Sequence, residues 1–206
     1  VSIGPAFSRF SAAFEPFALQ STESAAVPAP ALIWAQVESE FDCNNQRTVS
    51  TVPLAVTTRL FQDPDLRALY AIEEACFESS VRFSRALMRS LAYHANCRTW
   101  LGMVDHVRVG FAVVGLQSDE DPTAAYVWTI EVLPGFRRMG VARQLLVRVE
   151  ESAREAGCVA VELHVSERNT DGLALYEGAG YFRTRVDGEY YGRGEDAFRY
   201  RKQLPR

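Results

Sequence analysis

Gly140 and Ala142 sit among three arginines, Arg137, Arg138 and Arg143, in the stretch "GFRRMGVARQLL". A helical apolar pattern begins at Val141. The first turn of a helix already carries partial positive charge, so arginines there are unfavourable unless an anion shares the field. Two small residues leave the backbone N–H groups open to close approach, and the arginines add charge-assisted donors. A phosphate or pyrophosphate is the guest such a turn fits. A basic, exposed helix start with small residues for tight packing is the plainer alternative. The lysine followed by serine or threonine of a nucleotide P-loop is absent, as is the GxGxxG of dinucleotide sites, so ATP and NAD have little support.

His164, in "VELHVSERN", is the second residue type that could do chemistry. On a strand it shares a face with Glu162 and lies opposite Val161, Leu163 and Val165. Its titration near neutral pH suits a general base. A strand histidine on the polar face is also an ordinary surface residue.

These residues need elements to hold them. From Leu54 onward the pattern is strongly periodic. "LAVTTRLF" alternates as a strand. "DPDLRALYAIEEACF" and "SRALMRSLAYHA" read as helices, the second capped by Ser84. "RTWLGMVD" and "VRVGFAVVGLQ" read as a hairpin turning at Asp105 and His106, and "SDEDPT" as a loop. "AAYVWTIEVL" is a strand broken by "PGF". A long helix from Gly140 to Ala156 should bury Val141, Leu145, Leu146, Val149, Ala153 and Ala156, with Gly157 as its stop. "CVAVELHV" is a strand and "TDGLALYEGAG" a short helix closed by Gly180. "YFRTRV" and "DAFRYRKQL" are two last strands, joined by a loop that holds Tyr190 and Tyr191. The strand–helix–strand unit from Tyr126 to Val165 should be a right-handed parallel crossover. The expectation is an α/β domain, residues 53–206, with a mixed central sheet flanked by helices. Residues 1–52 form an extension. Its "STESAAVPAPA" reads as a linker and its "LIWAQVESEF" as a short amphipathic helix.

Bulk composition narrows the functions. The chain has 206 residues, 48% hydrophobic and 23% charged, which suits a globular domain with a sizeable core. A net charge of -4 argues against a general nucleic-acid binder. No stretch is long and apolar enough for a membrane span. Four cysteines without a CxxC pair or histidine clustering predict reduced thiols, no metal site and a cytoplasmic location.

The motif R137-x-x-G140-x-A142, preceded by "IEVLPGF" and followed by an amphipathic helix, resembles the pyrophosphate motif of the GNAT acyltransferase superfamily. "LHVSERNTDGLALYEGAGY" resembles that superfamily's strand–Asn–helix–Tyr block, in the right order and at the right separation. The resemblance covers about three quarters of the chain and implies a GNAT fold with acetyl-CoA as co-substrate. Within the superfamily, "YVWTIEVLP", "LHV" and "EYY" look most like the Nα protein acetyltransferases, including the bacterial ribosomal-protein type.

The resemblance implies roles. Val132, Leu133, Arg137, Arg138, Met139, Gly140, Val141, Ala142 and Arg143 would bind the co-substrate, with the backbone at Val132 and Leu133 serving the thioester oxygen. Asn169 would bond the pantetheine arm. Tyr176 would face the sulfur as acid or hydrogen-bond donor. Tyr126 would work with His164, which aligns with the base of some Nα-acetyltransferases. Tyr190 and Tyr191 would grip the acceptor, with Phe77 and Phe83 as the other wall. Here the chain reads "FESSVRFS" where the bacterial type carries Pro-Trp.

The chemistry favours an α-amine. An unperturbed α-amine titrates near about 7.7 and a lysine near about 10.4. Roughly a sixth of an α-amine is therefore unprotonated at pH 7, against under about a thousandth of a lysine. The expected activity is acetyl transfer to a protein or peptide N-terminus by direct attack in a ternary complex. The protein would act as a monomer or homodimer. Three alternatives stay open: lysine acetylation, acetylation of a small-molecule amine with Glu131, Glu162 and the acidic loop as acceptor carboxylates, and a non-catalytic acyl-CoA-binding module.

Overall fold

A computed structural model describes residues 55–77, 82–192 and 194–205. The proposed extension, with its linker and amphipathic helix, lies outside the described residues. The elements run β1 (Val56–Leu60), α1 (Leu66–Cys76), α2 (Arg85–Tyr93), β2 (Cys97–Val104), β3 (Val107–Gly115), β4 (Ala124–Val132), α3 (Val141–Glu155), β5 (Ala160–Ser166), α4 (Thr170–Gly178), β6 (Phe182–Gly192) and β7 (Glu195–Gln203). Single turns of 3-10 helix at Asp63–Asp65 and Pro134–Phe136 precede α1 and follow β4.

The seven strands form one sheet in the order β1-β2-β3-β4-β5-β7-β6. Every neighbouring pair is antiparallel except β4 and β5, which are parallel because α3 carries the chain back between them. The expected mixed sheet with flanking helices is what the chain builds.

Local chemistry accounts for the boundaries. Ser84 accepts a hydrogen bond from the Leu87 amide and starts α2. Asp105 and His106 both hold positive φ, as a two-residue hairpin turn requires. Pro134 closes β4. One face of the sheet packs Val109, Ala112, Val114, Ala125 and Val127 against Val141, Leu145, Leu146, Val149 and Ala153 of α3. The other packs Leu101, Phe111 and Val113 against Leu69 and Ile72 of α1 and Met88 and Leu91 of α2. At Gly102 a Cβ would stand 2.6 Å from Val141 Cγ1, so glycine lets the start of α3 lie close on the sheet.

Two expectations are corrected. Ala156 is exposed rather than buried, because α3 ends at Glu155 and Ala156 caps it. Tyr190 and Tyr191 are not in a loop. They belong to β6, which runs on to Gly192, its ladder with β7 broken by register shifts between Asp187 and Gly192. Cross-strand pairing carries the chain through "DGEYYG", whose composition is that of a turn.

Candidate active site

The site begins where two strands part. β4 and β5 pair only from Ala124↔Ala160 to Val127↔Leu163. Beyond that, β4 continues along β3 to Val132, and β5 continues along β7 to Ser166. A bulge at Trp128 sits at the parting: Val113 pairs with Thr129 and Val114 with Val127. The facing edges of residues 128–132 and 164–166 form a slot between strands, suited to an extended chain bearing amides. The Leu133 amide, expected at the thioester, is bonded to the Val109 carbonyl at 2.8 Å. Strand alternation then turns the Val132 amide toward the slot. The Val132 carbonyl accepts from Arg137 Nε at 3.2 Å and from Cys76 Sγ at 3.5 Å.

Below the slot lies the turn into α3. Gly140 is the N-cap at φ 87°, and a Cβ there would meet nothing within 4 Å, so the turn opens onto free space. The first bond of the helix is Gln144 N–H to the Gly140 carbonyl at 3.0 Å, which leaves the amides of Val141, Ala142 and Arg143 without a partner inside the helix. The first turn carries no acidic residue. Arg138 and Arg143 are exposed; Val141 is buried, and Met139 and Ala142 pack into the α3 side of the core. Backbone amides free inside the helix, with two exposed arginines close by in the chain, are the chemistry a pyrophosphate suits. Arg137 points its Nε back to the Val132 carbonyl.

Tyr126 of β4 and His164 of β5 meet where the strands part. The Tyr126 hydroxyl lies 2.9 Å from His164 Nδ1 and 3.1 Å from the Tyr190 hydroxyl. His164 Nε2 lies 2.7 Å from Asp187 Oδ2. A carboxylate can only accept, so Nε2 carries the hydrogen and Nδ1 accepts from Tyr126. Tyr190 stacks on the His164 ring at 4.2 Å and 10°. The Tyr191 hydroxyl donates to the His164 carbonyl at 3.2 Å. Both tyrosines therefore brace His164. Burial lowers the His164 pKa below 6.5, partly offset by Asp187. Burial raises Tyr126 well above 10, and the Tyr190 hydroxyl adds to this. Neutral imidazole and protonated phenol are thus the resting forms at pH 7. Sequence patterning ends the sixth strand at Val186 and so misses Asp187.

The remaining expected residues have partners of their own. Tyr176 of α4 is 8% exposed, its ring against Tyr181 and Tyr200, and burial raises its pKa, keeping it protonated. Asn169 caps α4 by accepting the Gly172 amide at 2.9 Å, which leaves its side-chain NH2 as a donor. Phe77 ends α1 at 40% exposure. Phe83 packs into the α1–α2 side of the core, and its amide donates to Glu73 Oε1 at 2.7 Å.

Of the carboxylates proposed for a small-amine acceptor, Glu131 is buried, and Glu162, Glu120 and Asp121 are engaged by arginines. Glu162 pairs with Arg199 and with Arg201. Glu120 of the acidic loop pairs with Arg199 and Arg185, and Asp121 with Arg201. Among the described residues no group of three or more His, Cys, Asp or Glu could hold a metal ion, and no helix is long and apolar enough to cross a membrane.

The pattern of the Acetyltransferase (GNAT) family matches residues 66–181, spanning α1 to the end of α4. The chain is 31% identical over 98 residues to "N-alpha-acetyltransferase MAK3" of Arabidopsis thaliana, covering 48% of this chain and 52% of that one. It is 29% identical over 91 residues to "Aminoglycoside N(6')-acetyltransferase type 1" of Salmonella typhimurium, covering 42% and 63%. The chain therefore spans less than two thirds of the length of either relative. The fold is shared with the ribosomal-protein-S18-alanine N-acetyltransferase from Escherichia coli, at TM-score 0.65 and 22% identity over 74% of this chain and 96% of that one.

Proposed function

We propose that this chain, which belongs to the Acetyltransferase (GNAT) family, transfers acetyl from acetyl-CoA to the α-amine of a protein or peptide N-terminus. The observation that carries this reading is the chain Tyr126–His164–Asp187, placed where β4 and β5 part.

The pantetheine arm lies in the slot as an added strand, with the Asn169 NH2 as a side-chain donor. Pyrophosphate sits on the amides of Val141, Ala142 and Arg143, with Arg138 and Arg143 adding charge. The acetyl carbonyl then points at the Val132 amide, which stabilises the oxyanion as the amine attacks. The attacking amine passes its proton to the Tyr126 oxygen as Tyr126 passes its own to His164 Nδ1. Asp187 stabilises the imidazolium that results. The carbon–sulfur bond breaks; the Tyr176 hydroxyl, kept protonated by burial, donates a hydrogen bond to the leaving thiolate, which takes its proton from water. Attack is direct: burial pushes the Cys76 thiol, the cysteine beside Val132, up to about 11, which makes it a poor nucleophile at neutral pH.

The proton chain suits an acceptor whose amine is partly neutral already, which an α-amine is and a lysine is not. The small-amine reading draws on the likeness to the aminoglycoside enzyme, but Glu120, Asp121 and Glu162 are held by arginines rather than free for a polyamine.

The test is incubation of the purified protein with acetyl-CoA and peptides carrying a free N-terminus and one internal lysine. Tandem mass spectrometry should find the acetyl group on the α-amine. Acetyl on the lysine alone, or on no peptide while a small polyamine is modified, contradicts the reading.

A further inference from the structure

Two carboxyl groups that the mechanism does not use are buried, one on α1 and one on β4. Glu73 of α1 is 4% exposed and Glu131 of β4 is 3% exposed. Each has one oxygen satisfied: Glu73 Oε1 accepts the Phe83 amide at 2.7 Å, and Glu131 Oε1 accepts the Thr129 hydroxyl at 2.8 Å. Each has one oxygen, Oε2, fully enclosed with no hydrogen-bond partner. Cys76, one turn on from Glu73, reaches the carbonyl of Val132, the residue after Glu131, at 3.5 Å, which sets this turn of α1 against this part of β4, and the two carboxyl groups act on each other.

Two ionised carboxylates cannot sit together at this depth, and two orphaned oxygens are costly. A single proton removes both difficulties at once. It makes one Oε2 a donor and leaves the other an acceptor, with one net negative charge on the pair.

We propose that Glu73 and Glu131 share one proton, and that this carboxyl–carboxylate bond is a positioning device that fastens α1 and the acceptor wall to the acetyl end of β4. The bond joins elements that the reaction needs in register. Through Oε1, Glu73 holds Phe83. Three residues on from Glu73, Cys76 reaches the Val132 carbonyl. Glu131 is the residue before Val132.

Among the described residues, the Cys76 thiol of α1 is acted on by both carboxyl groups and by the Arg137 guanidinium beyond β4. Neither the thiol nor the guanidinium supplies the missing bond. Burial, and then Glu73, raises the Glu131 carboxyl far above its ordinary 4.5. The folded state therefore keeps a proton that the unfolded state releases above about pH 4.5. Stability falls as pH rises from there toward the folded value, and levels off above it.

The decisive variant is Glu131→Gln. Its amide replaces the shared proton with a permanent donor to Glu73, while its oxygen still accepts from Thr129. Glu73→Gln makes the same replacement from the other side and serves if the first variant folds poorly. Denaturation of the full chain is measured from pH 5 to pH 9. The wild-type folded-to-unfolded ratio should fall relative to Glu131→Gln by up to about tenfold per pH unit. Parallel pH dependences of the two proteins overturn the shared proton. This readout needs no activity, so it stands apart from the proposed acetyl transfer. The positioning role rests on that reading and has its own test. Glu131→Ala should raise the KM for the acceptor peptide several-fold, and Glu131→Gln should restore it. An alanine variant with wild-type KM overturns the positioning role.

Discussion

The Tyr126 hydroxyl stands 2.9 Å from His164 Nδ1, across the point where β4 and β5 stop pairing. That relationship makes the two side chains one proton path rather than two independent groups. Tyr126→Phe and His164→Ala should each lower kcat by about 10²–10⁴-fold, the range for a positioned acid or base. The double variant should lose little more than either single one, because each already breaks the path. Additive losses in steady-state kinetics would separate their roles.

Asp187 fixes the tautomer that lets Nδ1 accept. Asp187→Asn should lower kcat by about tenfold or more, with a small change in KM, since it spoils orientation and removes the charge that stabilises imidazolium. Burial holds the His164 pKa below 6.5, and Asp187 opposes that fall. With saturating peptide, kcat should drop as pH falls through a value under 6.5. In Asp187→Asn that limb should move to still lower pH. A shift to higher pH would contradict the arrangement.

Gly140 holds φ 87° at the head of α3. Gly140→Ala puts a Cβ into a left-handed backbone and should cost about 1–2 kcal/mol of stability. The larger signature should be a raised KM for acetyl-CoA with the peptide KM little changed, because the variant disturbs the amides of the phosphate cradle. Isothermal titration with CoA checks it directly.

Gly102 controls the same cradle from below. A Cβ there would meet Val141 Cγ1 at 2.6 Å, against a fully buried helix start. Gly102→Ala should destabilise by about 1–3 kcal/mol and, by pushing Val141 outward, weaken CoA binding as well. A variant that loses stability but binds CoA normally would show that α3 absorbs the change elsewhere.

The phosphate turn and the β4–α3–β5 unit are legible in the sequence because their signals are local. Gly140, Pro134 and the α3 apolar stripe each declare a boundary where they stand. Asp187 is not legible. "DGEYYG" has the composition of a turn, and only pairing with β7, with its register shifts, shows it to be strand. The Glu73–Glu131 contact is hidden for a related reason. The bulge at Trp128 resets the alternation of β4, so Glu131 faces α1 together with Thr129, while Ile130 and Val132 pack toward α3. No alternation rule read along "YVWTIEV" reveals that reset.

The most direct test of the account is CoA-thiol release from matched peptides that differ only in a free or blocked N-terminus, each with an internal lysine. The account predicts release with the free peptides alone, and loss of that release in Tyr126→Phe. Equal release from free and blocked peptides would contradict it and place the acceptor amine on the lysine side chain.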